Sequence, residues 1–329
     1  AGSGPDAFFS LMNIHVVILA AGKGTRMKSA RPKVLHRVAG QPLIEHVLAC
    51  AAAIGPSSTT VVVGHQAETL TAALARHEGL TFVAQEPQLG TAHALLTTEA
   101  ALAGHTGLLV LLSGDVPLLT ARTLHALVDR HRSAGAAATV VTAFVEDPHG
   151  YGRIVRDSRN IASIVEEKDA SPAEREIREI NSGIYAFSLE GLFDAVRSIA
   201  AENTQKEYYL PDLVAIYRRR GLVVETVTVS NPDEIRGINS RIELAAVSRI
   251  MRNLKTAELM ASGTISSSCA RLGLIETNAP AFIRHSTVLL FIAAESETRS
   301  QKSNRSVNPP PDCLALAIAS MTARPQPLI

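Results

Sequence analysis

Residues 15–27 read HVVILAAGKGTRM, a β-branched apolar run over 15–20 that passes straight into a loop with glycine at 22 and 24. A strand that ends in such a loop opens a βα unit, and glycine, lacking Cβ, lets the backbone turn sharply and come close to a ligand. Arg26 and, beyond Pro32, Lys33 add a planar fork and a mobile point charge, so one short segment offers several donors to a polyphosphate. Taken alone, the loop is equally an ordinary βα turn with solvated basic residues. Two other glycine loops are excluded. A P-loop ends in Gly-Lys-Ser/Thr, which is absent, and the dinucleotide fingerprint needs a third small residue where this chain has Met27.

Outward from that loop, apolar residues at helical spacing over 43–53 lead to a strand at 59–63, then a helix at 66–77 and a strand at 81–84. A helix is expected over 91–103. Residues 108–112 form the continuous apolar run of a central strand buried on both faces, and it ends in Ser113-Gly114-Asp115. A helix over 122–133 and a strand over 138–144 complete an α/β pattern with a largely parallel sheet, in which function sits at strand ends. From 151 the texture changes: 151–155 and 161–165 pair around a turn at 157–160, with strands at 184–187 and 223–229 and a helix at 209–220 between them. This second half is expected to cap the first. Residues 240–260 are amphipathic, with Leu244, Val247, Ile250, Met251 and Leu254 spaced for one face, and read as an arm leaving the domain.

Composition bounds the rest. A chain of 329 residues, 46% hydrophobic and 19% charged, is not disordered throughout and holds two modest domains or one large α/β domain with an appendage. With 32 Lys plus Arg against 31 Asp plus Glu, no whole-protein field draws it to nucleic acid or anionic lipid, so any anion site is local. Cys50, Cys269 and Cys313 lack metal-ligand spacing and suit a reducing cytoplasm. No apolar run reaches the roughly 18 residues of a membrane span. The first eleven residues, AGSGPDAFFSL, lack the basic start of a signal peptide and read as a leader or expression remnant. Residues 263–329 are rich in Ser, Pro and Asn without a period, and are expected to be largely disordered.

The ordered set LAAGKGTRM, PKVLHRVAGQPLIEHV, QLGTAHAL, GDVPLL, GYGRI, IVEEKDAS, EINSGIY, NTQKEYYLPDLV and GINSRIELA resembles the sugar-1-phosphate nucleotidyltransferases. More closely, it is similar to the N-terminal half of the bacterial bifunctional N-acetylglucosamine-1-phosphate uridylyltransferase/glucosamine-1-phosphate acetyltransferase family, over about residues 13–260. The resemblance implies a Rossmann-like nucleotidyltransferase domain with a mixed, mainly parallel sheet over 12–239, a helical arm over 240–262 and an atypical tail.

It further implies that Leu19, Ala20, Ala21 and Gly22, with Arg26 and Lys33, hold the nucleotide and its triphosphate, Arg26 and Lys33 acting on the reacting phosphates. Gln85, Gln88, Gly90 and Thr91 match the segment that reads uracil, whose imide donor between two carbonyl acceptors suits a carboxamide and a backbone group. Their plainer reading is as loop glutamines in solvent. Ser113, Gly114 and Asp115 match the nucleotide site at the strand end. Asp115 and Asn239 match the Mg2+ ligands, two oxygens being enough for an ion that fills its octahedron with phosphate and water. A turn aspartate and an N-cap for the arm helix are the alternatives there. Gly152, Glu166 and Asn181 match the sugar site; Tyr208, Tyr209 and Asp212 lie in a segment near it, where Lys206 and Pro211 depart from the family's Gly and Thr.

The implied reaction joins UTP and N-acetylglucosamine 1-phosphate, with Mg2+, to give pyrophosphate and UDP-N-acetylglucosamine, a cell-wall precursor, in the cytoplasm. No nucleic-acid partner is expected. The family's other half is a hexapeptide-repeat β-helix, which 263–329 does not spell, so neither acetyl transfer nor the family's trimer is expected. A relative with another base or sugar, or a non-catalytic nucleotide-sugar sensor, remains open.

Overall fold

The computed structural model describes residues 13–262. The expectations for 1–11 and for 263–329 lie outside the described residues. Two compact units divide the described chain, one of residues 13–37 and 41–245, the other of residues 38–40 and 246–262.

In the first unit the elements run β1 (Ile14–Leu19), β3 (Gln41–Pro42), α1 (Leu43–Ala52), β4 (Ser58–Val63), α2 (Ala67–Leu74), β5 (Leu80–Ala84), α3 (Thr91–Leu96), β6 (Leu108–Ser113), α4 (Ala121–Ala134) and β7 (Ala138–Phe144). There follow β8 (Arg153–Asp157), β9 (Asn160–Val165), α5 (Pro172–Arg175), β10 (Glu179–Ser188), α6 (Leu192–Arg197), α7 (Asp212–Arg219) and β11 (Val224–Val229). A further short strand, β2 (Arg37–Val38), precedes β3, and α8 (Arg241–Ala261) is the arm. The main sheet has the order β11-β7-β10-β6-β1-β4-β5, with β10 alone antiparallel to its neighbours along that path.

Alternate side chains of the central strands enter two cores. Val16, Ile18, Val110 and Leu112 pack on one side with Ile44, Leu70 and Leu124 of α1, α2 and α4. Val17, Leu109 and Leu111 pack on the other with Leu95, Leu192 and Leu213 of α3, α6 and α7. Strands covered on both faces have no polar side to show, which is why β6 is apolar at every position but its last. The parallel register pairs Leu19 of β1 with both Ser113 of β6 and Val62 of β4, so three strands end level at one edge.

The second half does not simply cap the first: β10 and β11 join the same sheet on either side of β7. The physical reason is in β10, where Ile184 and Ala186 enter one core and Tyr185 and Phe187 the other. The β8–β9 hairpin stands off the main path, joined where Arg153 pairs with Ile180. The helix expected over 91–103 breaks after Leu96, because the hydroxyls of Thr97 and Thr98 donate to the carbonyls of Ala94 and Leu95, each at 2.7 Å, in competition with helix bonding. Helix α7 starts at Asp212 rather than 209, after Pro211, whose ring fits a helix entrance. Of the five residues placed on one face of α8, Val247 is buried, whereas Leu254 is 57% exposed.

Buried His131 of α4 sits 3.0 Å from Thr139 Oγ1 and 3.2 Å from Ser188 Oγ. Burial, then the neighbouring Arg132, lowers its pKa from 6.5 to about 4. Between those values the unfolded chain binds the proton more readily than the folded one, so stability falls as pH drops through this window and levels off below it. Urea titrations from pH 7 to 4 are expected to show that loss, about 3 kcal/mol at most from this group, and His131→Asn to flatten it. An unchanged slope in the variant would remove His131 from the acid sensitivity.

Candidate functional site

The level strand ends are stitched together beyond the sheet. Ala20 N–H donates to the Val62 carbonyl and Gly114 N–H to the Leu19 carbonyl, both at 2.9 Å. The glycine loop leaves β1 from this edge. Gly24 has φ +59°, and a Cβ there would stand 2.8 Å from Lys33 Cβ, so the loop's left-handed turn and its close approach to Lys33 both need glycine. Gly22 differs: its backbone is not left-handed, and nothing lies within 4 Å of where a Cβ would be. Buried Met27 anchors the 3-10 turn Thr25–Met27 that follows, and Arg26 is left exposed.

Lys33 begins a second 3-10 turn (Lys33–Leu35) whose Val34 and Leu35 are buried, which fixes its backbone. Its ammonium donates to Asp115 Oδ2 at 2.5 Å and to Asn239 Oδ1 at 3.0 Å. Partners 82 and 206 positions away thus converge on one cation. Among the described residues no cluster of three or more His, Cys, Asp or Glu could hold a metal ion.

Asn239 does not cap the arm; the next residue does. Ser240 Oγ accepts from Glu243 N–H at 3.2 Å, while the Glu243 carboxylate accepts from the N–H groups of Asn239 at 2.6 Å and Ser240 at 2.7 Å. This is a capping box, and its Ser-x-x-Glu signal stood in the sequence at 240–243 unread. The N-cap role considered for Asn239 therefore falls to Ser240. One residue on, Arg241 donates through Nε to the Met27 carbonyl at 3.0 Å and through a terminal nitrogen to the Lys28 carbonyl at 3.1 Å. Sequence reasoning missed Arg241 altogether, since nothing local marks a contact across more than two hundred residues.

Of the residues expected to read the base, Gln85 is buried, not a glutamine in solvent. Its Nε2 donates to the Gly90 carbonyl at 2.9 Å and lies 3.2 Å from His93 Nδ1, so this carboxamide shapes the loop. Gln88 is half-buried, and its Nε2 donates to the Ala21 carbonyl. Gly90 has φ +110°, and a Cβ there would meet the Tyr208 carbonyl at 2.6 Å. Thr91 Oγ1 accepts from Leu210 N–H at 3.0 Å.

The sugar-side candidates also meet. Asn181 N–H donates to the Gly152 carbonyl at 2.9 Å, and a Cβ on Gly152 would lie 3.0 Å from Glu166 Oε1. Asn181 is buried, and its Oδ1 accepts from Tyr185 Oη at 2.9 Å and from Gly183 N–H at 3.1 Å. Burial, then the charges of Asp169 and Asp212, pushes the Glu166 carboxyl above the usual range, with Arg153 pulling it back. Tyr209 is buried and Tyr208 partly exposed; burial raises the Tyr209 phenol to about 12. Lys206 adopts φ +54°, a left-handed conformation that glycine takes without strain. Cys50 offers no thiolate: burial, then Glu234, raises its pKa to about 11.

The model of the MobA-like NTP transferase domain matches residues 16–180, half of the chain. The bifunctional protein GlmU of Pelotomaculum thermopropionicum is 52% identical over 254 residues, 77% of this chain and 55% of that protein. The protein of the same name from Pelobacter propionicus is 46% identical over 252 residues, 76% of this chain and 55% of its own. The chain therefore spans about half the length of these curated relatives. Two solved structures share the fold: a putative glucose-1-phosphate thymidylyltransferase from Bacillus anthracis (TM-score 0.58, 19% identity, 72% of this chain, 94% of that one) and a UDP-glucose pyrophosphorylase with UDP-glucose (0.60, 18%, 74% and 99%).

Arg241 closes the turn whose amides at Met27 and Lys28 donate to Gly24 and Thr25. In Arg241→Ala, hydrogen exchange at those two amides is expected to accelerate about tenfold or more while the arm's amides keep their protection. Lysine should restore only part of it, because a point charge lacks the fork that spans two carbonyls. Unchanged exchange would show that the loop holds itself.

Proposed function

This chain belongs to the MobA-like NTP transferase family and is a nucleotidyltransferase, and we propose that it transfers a uridylyl group from UTP to N-acetylglucosamine 1-phosphate. The observation that carries this reading is the convergence of Lys33, Asp115 and Asn239 beside the glycine loop at the level strand ends. A phosphate oxygen of the sugar phosphate attacks the α-phosphorus, the bond to the bridging oxygen breaks, and pyrophosphate leaves. The nucleophile is already an anion at neutral pH, so alignment and charge stabilisation are the work left to the protein.

Arg26, exposed on its turn, and Lys33 hold the triphosphate and offset charge as it spreads onto the leaving group. Residues 19–22 hold the nucleotide, and the open space at Gly22 gives it room. Gln88 and the backbone at Gly90 and Thr91 read the base from a loop that Gln85 shapes; Ser113 and Gly114 line the strand end. Gly152, Glu166 and the amide hydrogens of Asn181 receive the sugar and its N-acetyl group.

Asp115 and Asn239 fit Mg2+: a carboxylate and an amide oxygen already converge on a cation, and hard oxygen donors suit that ion. When bound, Mg2+ supplies a positive charge that polarises the reacting phosphates. The cytoplasm is the proposed location, and no helix among the described residues is long and apolar enough to cross a membrane.

Pyrophosphate release measured with UTP, Mg2+ and a panel of sugar 1-phosphates tests the assignment, with N-acetylglucosamine 1-phosphate expected to be preferred. Preference for another sugar or base would move the enzyme to a neighbouring specificity, and no release with any pair would favour a nucleotide-sugar sensor. Asp115→Ala is expected to remove most metal-dependent turnover, and Arg26→Ala to slow it by around 10²-fold. Gln88→Ala should lower the preference for UTP over CTP more than it lowers metal dependence; an unaltered ratio would return Gln88 to a structural role.

A further inference from the structure

The oxygen pair assigned to a divalent cation already holds a cation of the protein's own. Asp115 approaches from the end of β6, Asn239 from the residue before the arm's cap, and both close on Lys33 Nζ at 2.5 and 3.0 Å. All three backbones are independently fixed: Lys33 by buried Val34 and Leu35, Asn239 by the Glu243 carboxylate, and Asp115 by its carbonyl, which accepts from Ile238 N–H at 3.0 Å. The Asp115 side chain is only 13% exposed, so without the ammonium a largely buried carboxylate would stand without a counter-charge.

We propose that Lys33 is the resident counter-ion of Asp115 and Asn239 in the empty enzyme, and that a divalent cation binds there by displacing its ammonium towards the triphosphate. This rests on the metal assignment above. Two cations cannot share one point beside a single carboxylate, so occupancy by one excludes the other. The lysine stem allows the exchange. Its Cα is held by the buried turn, its Cβ lies against Gly24, and the remaining carbons swing the head from the oxygen pair to the glycine loop without moving the backbone. Arginine would serve worse, since a guanidinium forks onto a carboxylate and leaves it less readily than a compact ammonium.

The exchange couples two ligands through one side chain. A bound triphosphate gives the displaced ammonium a new partner, so nucleotide tightens the divalent ion, and by reciprocity the ion tightens the nucleotide. Lys33 then contributes twice, once by vacating the oxygen pair and once by arriving at the phosphates.

Mn2+ binding to the whole chain, followed by the electron paramagnetic resonance of the free ion, tests the exchange apart from turnover. Without nucleotide, Lys33→Ala is expected to bind Mn2+ about tenfold tighter than the unaltered chain, even though its turnover is slower. Lys33→Arg should bind it more weakly, and Arg26→Ala, which removes a charge from the same loop without touching the oxygen pair, should stay within about twofold. A non-hydrolysable UTP analogue should tighten Mn2+ strongly in the unaltered chain and much less in Lys33→Ala. Equal affinity for Mn2+ in Lys33→Ala and the unaltered chain, with Asp115→Asn abolishing binding in both, would overturn the displacement and keep the metal site. Binding that survives Asp115→Asn would overturn the metal assignment and the displacement with it.

Discussion

Everything at the site depends on the parallel register of β1 with β6. Because Leu19 stands beside Ser113, the glycine loop and the Ser113-Gly114-Asp115 turn leave the sheet at the same height. Lys33, beyond the loop, then meets Asp115. A slip of one residue in β6 would send Val110 and Leu112 into the wrong core and carry the Asp115 turn out of place, and a slip in β1 would misplace Val16 and Ile18. Burial on both faces enforces the register, since each strand is sandwiched between two apolar packs that accept only one alternation.

That same burial explains what the sequence disclosed. A run such as Leu108–Ser113 has no polar face to alternate with, so it announces a central strand by composition alone. The glycine loop was legible for a second local reason, the adjacency of strand, Gly24 and basic residues. Less legible were features settled by partners far along the chain. Strand β10 is ten residues long, yet only 184–187 looked like a strand, because Glu179, Asn181 and Ser182 are polar. Their polarity is satisfied within the fold: Glu179 accepts from Thr142 Oγ1 and from the Arg156 fork, and Ser182 Oγ donates to the Val141 carbonyl.

The site itself was partly legible. Lys33, Asp115 and Asn239 could be named from motifs, but a motif carries no distance, and nothing in it says that the lysine and the two oxygen donors meet. Gln85 and Gln88 looked equivalent on paper; the fold gives one to the loop's interior and the other to the glycine loop's edge. The tail-side element was the hardest to read. Its cap was written plainly as Ser-x-x-Glu, whereas the grip of Arg241 on Met27 and Lys28 exists only once the chain has come full circle.

The first turn of α8 thus does more than begin an arm. Within the five positions 239–243 lie an oxygen that accepts from Lys33, a helix cap and a clamp on the loop after β1. For anyone dissecting the protein, that sets where a scissile site is tolerable. A fragment ending at 239 retains the asparagine in name, but it has neither the carboxylate that holds the asparagine's amide nor the guanidinium that closes the loop. The smallest piece that carries an intact site extends at least through Glu243, so this boundary follows the bonds of the helix's first turn and not the point where the sequence begins to look helical.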